Sequence, residues 1–98
     1  MTQAEEIFDS IARDLSGRPG IEQNRRGSLI VPGGVRGAVR AMTSHGRIVV
    51  KLDPERTAAL VIDAVGEHYK DQRNAWLELR ADLEPDQIRA LIAEALQP

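Results

Sequence analysis

Residues 35–51 read VRGAVRAMTSHGRIVVK, a segment in which apolar and charged residues alternate on both sides of a turn signal. Alternation with a period of two is the pattern of a β-strand that buries one face. The tetrapeptide TSHG separates the two runs, and a two-residue turn at 44–45 or at 45–46 keeps their apolar residues on one side. The segment therefore predicts an antiparallel hairpin with one face in the core. That face comprises Val35, Val39, Ala41, Ile48, Val50 and Leu52.

The opposite side of the predicted hairpin is basic. It carries Arg36, Arg40, Arg47 and Lys51, and the segment contains neither Asp nor Glu. Residues 18–51 hold seven basic residues and one acidic residue, although the net charge of the chain is −2. Such a surface can steer an acidic protein segment or a nucleic acid toward the protein. The ordinary alternative is a solvated sheet face whose cations prevent edge-to-edge association, and charge runs usually have this role.

The start of the chain has the pattern of an amphipathic helix. Ile7, Ile11 and Leu15 recur every four residues, so they share one helical face. Residues 2–5 read TQAE, the Thr-x-x-Glu pattern of a capping box. Gly17 suits a left-handed C-terminal cap. A helix that ends near residue 16 is expected.

The middle of the chain predicts three short strands and a second helix. The runs LIV, VRGAVRAM and RIVVKL are separated by the turn signals PGG and TSHG, as in an antiparallel meander. The motif DPER then opens a helix, with Asp53 as its cap and Pro54 at its first position. Gly66 is expected to end that helix.

The last third of the chain predicts one or two strands and a terminal helix. AWLEL places Leu77 and Leu79 on one face of a strand, and residues 68–70 predict a further short strand. Pro85 opens a helix whose apolar face is Ile88, Leu91, Ile92, Ala95 and Leu96. The order is helix, three strands, helix, one or two strands, helix. We therefore expect one domain over 1–98 of the α+β class, an antiparallel sheet with helices packed on one face.

Composition excludes several classes of function. The chain has no Cys, its start lacks the charge pattern of a signal peptide, and its longest apolar run is AALVI, too short to cross a bilayer. It contains no GxGxxG and no GxxxxGK[ST] phosphate cradle, and its two His do not make a metal site. We therefore expect a soluble cytoplasmic protein that is not an enzyme, uses no cofactor or metal, and has no membrane partner.

The segment GRIVVKLDPER at 46–56, followed by AWLEL and a last helix ending in IAEAL, resembles the TfoX N-terminal-domain-like and YjbR-like proteins. The resemblance covers roughly 28–96, and Lys51 and Trp76 are the positions that match singly. Where those families often have an FG dipeptide and a Lys-Phe strand, this chain has RRGSLIV and VRGAVRAM. The resemblance implies a compact α+β domain, similar in architecture to type III secretion chaperones, and not an enzyme. Members are often labelled DNA-binding or competence-regulating.

Three functions follow as hypotheses. The first is a binding or regulatory domain that acts through a protein partner, together with a homodimer through a sheet edge. The second is binding to the DNA or RNA backbone. Stacking on single strands is disfavoured because no aromatic residue lies among the basic ones. The third is an enzyme or ligand-binding domain with a pocket near His68, Tyr69 or Trp76. The candidate residues for partner or nucleic-acid binding are Arg25, Arg26, Arg36, Arg40, Arg47 and Lys51.

Overall fold

The structure, a computed structural model, describes residues 2–32, 39–69 and 75–97. It consists of an antiparallel sheet with helices on one of its faces. Within these ranges the sheet has six strands in the order β1-β2-β3-β4-β6-β5. The α+β prediction is therefore confirmed. The elements are α1 (Gln3–Leu15), β1 (Glu22–Gln23), β2 (Leu29–Ile30), β3 (Val39–Ser44), β4 (Arg47–Lys51), α2 (Pro54–Ile62), β5 (Gly66–His68), β6 (Trp76–Leu79) and α3 (Pro85–Ala95).

The predicted hairpin is formed by β3 and β4. Ser44 pairs with Arg47, which leaves His45 and Gly46 as the two turn residues. Their φ angles are 51° and 76°, the left-handed pair that a type I′ turn requires. Ala41 pairs with Val50, and both are fully buried, as the alternation predicts. The first part of the predicted strand, with Val35 and Arg36, lies outside the described residues.

The strand β1 was not predicted. It consists of two exposed polar residues that pair with β2, Glu22 with Ile30 and Gln23 with Leu29. So short a polar segment has no alternation to detect, because neither of its side chains enters the core. Four strands, rather than the expected three, therefore precede α2.

The helix α1 begins as predicted and ends differently. The Thr2 hydroxyl accepts from the Glu5 N–H at 3.2 Å, and the Glu5 carboxylate accepts from the Thr2 N–H at 2.9 Å, which completes the capping box. The predicted left-handed cap at Gly17 is wrong. The helix closes with Ser16 in right-handed geometry, and the left-handed residue is Gly20, with φ 82°.

The role predicted for Gly66 is also wrong. The helix α2 ends at Ile62, and Ala64, with φ 60°, provides the left-handed turn that was assigned to glycine. Gly66 instead begins β5, two residues earlier than the predicted strand. A Cβ atom there would lie 2.3 Å from the carbonyl oxygen of Glu78. Glycine is required because β5 approaches β6 too closely for a side chain. At the other end of α2, Asp53 occupies the N-cap position without a side-chain capping bond.

One hydrophobic core lies between the helices and the sheet. Leu77 and Leu79 face it from β6, as predicted, and both are buried. The predicted apolar face of α3 is buried along its whole length. The described core residues are Phe8, Ile11, Ala12, Leu15, Leu29, Ala41, Ile48, Val50, Leu52, Leu60, Leu77, Leu79, Ile88, Leu91, Ile92, Ala95 and Leu96.

Replacing Gly66 by Ala tests the close approach of β5 to β6. We expect the free energy of unfolding to fall by about 2 kcal/mol or more, because the new Cβ must push two paired backbones apart. The control is Gly17→Ala, whose Cβ would meet its nearest atom at 3.6 Å, an ordinary contact. Urea denaturation of both variants measures the difference. Equal stabilities would contradict the close approach.

Candidate functional site

The outer face is the side of the sheet opposite the helices. Its residues are identified from the strand pairing, because paired residues lie on the same face of a sheet. Met42 pairs with Val49, Val49 with Glu78, and Glu78 with Glu67. Along each strand these residues alternate with the ones that face the core. Its described members are Met42, Ser44, Arg47, Val49, Lys51, Glu67, Trp76 and Glu78.

Arg40 does not belong to the outer face, although the alternation predicts it there. Leu29 pairs with Ala41 and Ile30 with Val39, so a bulge leaves Arg40 without a partner residue in β2. Bulges re-aim side chains. Here the Arg40 Nη1 donates to the carbonyls of Gln97 at 3.2 Å and Ala95 at 3.5 Å. The guanidinium therefore satisfies carbonyls at the C-terminal end of α3, where the helix dipole also favours a cation.

Arg25 and Arg26 lie at the tip of the β1–β2 hairpin. The tip is held by Asn24, whose Oδ1 accepts from the N–H groups of Arg26 and Ser28, each at 3.0 Å. Both arginine side chains are exposed. These bonds hold the backbone beneath the two cations in one turn conformation.

The tip of this hairpin and the β3–β4 turn lie at the same end of the sheet. Both β1 and β3 are antiparallel to β2, so β1 runs toward its tip in the direction in which β3 runs from Ala41 to Ser44. Arg47 is exposed and pairs with Ser44. The strands β2 and β4 are two spacings apart, about 10 Å. We call this group the basic end: Arg25, Arg26 and Arg47.

Lys51 lies at the opposite end of β4. Its Nζ is 5.9 Å from the centre of the Trp76 ring, and the two residues are cross-strand neighbours. This is the outer range of a cation–π contact. Trp76 is only 8% exposed, so its ring is packed against its neighbours. The structure therefore divides the predicted site into the basic end, Lys51 beside Trp76, and Arg40 at α3, while Arg36 lies outside the described residues.

A small buried apolar cluster on the outer face was missed by sequence reasoning. Val49 is fully buried and Trp76 nearly so, although neither belongs to the main core. The hydroxyl oxygens of Ser44, in β3, and of Tyr69, which directly follows β5, lie 2.7 Å apart, although β4 and β6 lie between those two strands. This hydrogen bond therefore spans the outer face above the two central strands. No local pattern signals such a link, because its partners are 25 residues apart.

The outer face also carries two carboxylates. Glu67 and Glu78 are directly paired on β5 and β6, and Val49 lies opposite Glu78. The hairpin itself has no acidic residue, as its sequence shows, but the neighbouring strands add negative charge to the same face. The basic face predicted for the hairpin therefore does not extend over β5 and β6. Positive charge lies along β4 and negative charge along β5 and β6.

Three arginines outside residues 18–51 already have acidic partners. In one of these pairs the Arg89 guanidinium hydrogen-bonds Asp14 and lowers the pKa of that carboxyl below its usual value. Among the residues that the structure describes, no ion pair involves Arg25, Arg26 or Arg47. The described pairs are Arg56–Glu94, Arg80–Asp82 and Arg89–Asp14.

Other kinds of site find little support in the described ranges. A depression of about 20 Å³ lies between α1, α3 and the start of β4, with Arg47 among its lining residues, and holds no more than a water-sized group. Within 2–32, 39–69 and 75–97, no three His, Cys, Asp or Glu side chains could together hold a metal ion. The same part of the chain contains no helix that is long and apolar enough to cross a membrane.

Comparison of the chain with protein-family models, with curated proteins and with solved structures finds no match. The similarity to the TfoX-like and YjbR-like families therefore stays a prediction.

Replacing Arg40 by Met tests its position at α3. We expect a loss of about 1–2 kcal/mol in the free energy of unfolding, because carbonyls at the end of α3 lose a charged donor. Arg47→Met is the control, with an expected change within about 0.5 kcal/mol because that side chain is exposed. Chemical denaturation measures both. Similar losses in the two variants would show that Arg40 has no special structural role.

Proposed function

We propose that this protein is a small non-enzymatic binding domain that acts through a protein partner, with the basic end as its contact surface. The observation that carries the proposal is that three exposed arginines lie together at one end of the sheet and take part in no described ion pair. Acidic residues pair with Arg56, Arg80 and Arg89, whereas no described ion pair involves the basic end. Cations that take part in no described ion pair at one end of the sheet leave their charge available to an acidic segment.

The fixed backbone of the basic end favours binding to one partner geometry. Arg26 lies within the turn held by Asn24, and Arg47 follows the tight β3–β4 turn. Less conformational entropy is therefore lost at the backbone when a partner binds. The spacing of about 10 Å between β2 and β4 suits an acidic segment that crosses the end of the sheet, with carboxylates that reach both turns.

A protein partner is favoured over nucleic acid because of the charges nearby. Binding to a duplex backbone needs several cations aligned along the phosphates. Arg40, one of the cations assigned to that role, bonds instead to the carbonyls of α3. Glu67 and Glu78 lie on the same outer face and would repel phosphate. A protein segment can place acids at the basic end and other groups elsewhere.

The proposal is tested with fluorescently labelled short peptides rich in Asp, Glu and aliphatic residues, titrated with protein at two salt concentrations. We expect Arg47→Glu to weaken binding about tenfold, because it reverses one charge at the contact. The matched control is Arg13→Glu, the same charge change on an exposed residue of α1. Thr2, at the start of α1, adjoins the β3–β4 turn, so Arg13 lies about 16 Å farther along the helix.

The outcomes separate the proposal from its alternatives. Equal weakening by Arg47→Glu and Arg13→Glu would show that only net charge matters and would contradict a specific surface. A duplex DNA probe is titrated in parallel. If duplex DNA binds more tightly than every acidic peptide and its affinity falls steeply with salt, the partner is nucleic acid and the proposal is wrong. No binding of acidic peptides even at low salt would also refute it.

A further inference from the structure

The helix α2 exposes apolar residues on its outward side. Ile62 is 83% exposed, although large aliphatic side chains normally avoid water. Ala58 and Ala59 are exposed on the same helix, whereas Thr57 and Leu60 are the residues that it buries. An exposed apolar stripe flanked by charges is typical of a surface that packs against another protein.

The periodicity of α2 gathers these residues on one side. At about 100° per residue, Ala58 and Ile62 point away from the buried Leu60, and Ala59 lies between Ile62 and the flank that carries Arg56 and Asp63. Arg56 and Asp63 are seven residues apart, so both lie along one flank of the stripe, at opposite ends. The α2 stripe is Glu55, Ala58, Ala59 and Ile62.

We propose that the α2 stripe is an interface between two copies of this chain, packed antiparallel about a two-fold axis near Ala59. In an antiparallel pair of identical helices, the flank that carries Arg56 and Asp63 in one copy lies beside the same flank of the other copy. The axis therefore places Arg56 of each copy opposite Asp63 of the other, which gives two intermolecular ion pairs. A parallel two-fold pair would place the two charged flanks on opposite sides of the interface, where Arg56 of one copy could not meet Asp63 of the other, so charge complementarity selects the antiparallel arrangement.

The guanidinium of Arg56 is already oriented for such a contact. Its Nε and Nη2 donate to the Glu94 carboxylate at 2.9 and 3.2 Å, and the side chain is 47% exposed. The remaining terminal nitrogen, Nη1, is not used in that bidentate contact. A guanidinium held by one carboxylate loses little freedom when it binds a second, so the interfacial pair gains from preorganisation.

The small side chains of the α2 stripe suit a helix as the occupant. Alanine at the crossing point lets two helix axes approach closely, and Ile62 of each copy can then cover Ala58 and Glu55 of the other. The helix has nine residues, about 13 Å, so the interface lies at the small end of specific protein contacts. We therefore expect dimerisation that depends on concentration rather than a permanent dimer. This surface differs from the sheet edge expected from the fold class.

Sedimentation equilibrium over a range of protein concentrations tests the proposal. The wild-type chain should associate to a dimer, and Ala59→Glu should raise the dimer dissociation constant roughly tenfold or more, because it places two carboxylates at the axis. Ala90→Glu is the matched control, the same substitution at an exposed alanine of α3. A monomer at all concentrations, or equal effects of the two variants, would overturn the proposal.

Cross-linking tests the geometry independently. The chain has no Cys, so Ala59→Cys introduces a single thiol near the proposed axis. With oxidised glutathione as the electron acceptor, two such thiols should form an intermolecular disulfide, whereas Ala90→Cys should not. A dimer that cross-links through residue 90 but not through residue 59 would assign the interface elsewhere. The Ala59→Glu monomer should still bind acidic peptides, because the basic end is a separate surface.

Discussion

The central strand β4 is buried on both faces, and the rest of the structure depends on this. Val50 is fully buried against the helices, and Val49 is fully buried on the outer face. The strand is hydrogen-bonded to β3 on one side and β6 on the other. A strand buried in this way cannot carry charge at its centre without a large desolvation cost. Its two cations, Arg47 and Lys51, therefore lie at its ends.

This constraint explains where the cations of residues 35–51 lie in the fold. The alternation predicts one continuous basic face, but the structure leaves Arg47 at the turn and places Lys51 beside Trp76. The bulge at Arg40 turns a third cation toward the end of α3. Of the cations that the structure describes in β3 and β4, only Arg47 lies at the same end of the sheet as Arg25 and Arg26, and these three arginines form the basic end.

The features that could be predicted are those written in local periodicity. The β3–β4 hairpin, the capping box of α1 and the buried face of α3 each repeat a pattern over several residues, and all are confirmed. The features that could not be predicted depend on contacts distant in sequence. The requirement for Gly66 comes from the approach of Glu78, and the burial of Val49 accompanies the link between Ser44 and Tyr69. Neither leaves a signal within one segment.

The position of the basic end is tested most directly by NMR, with isotopically labelled protein titrated with an acidic peptide that binds it. Chemical shift changes follow the backbone amides near a bound ligand. We expect them at the β1–β2 tip around Arg25 and Arg26 and at the β3–β4 turn around Arg47, with little change along α2 and α3. Changes centred on α2, or spread evenly over the surface, would contradict a binding site at the turn end of the sheet.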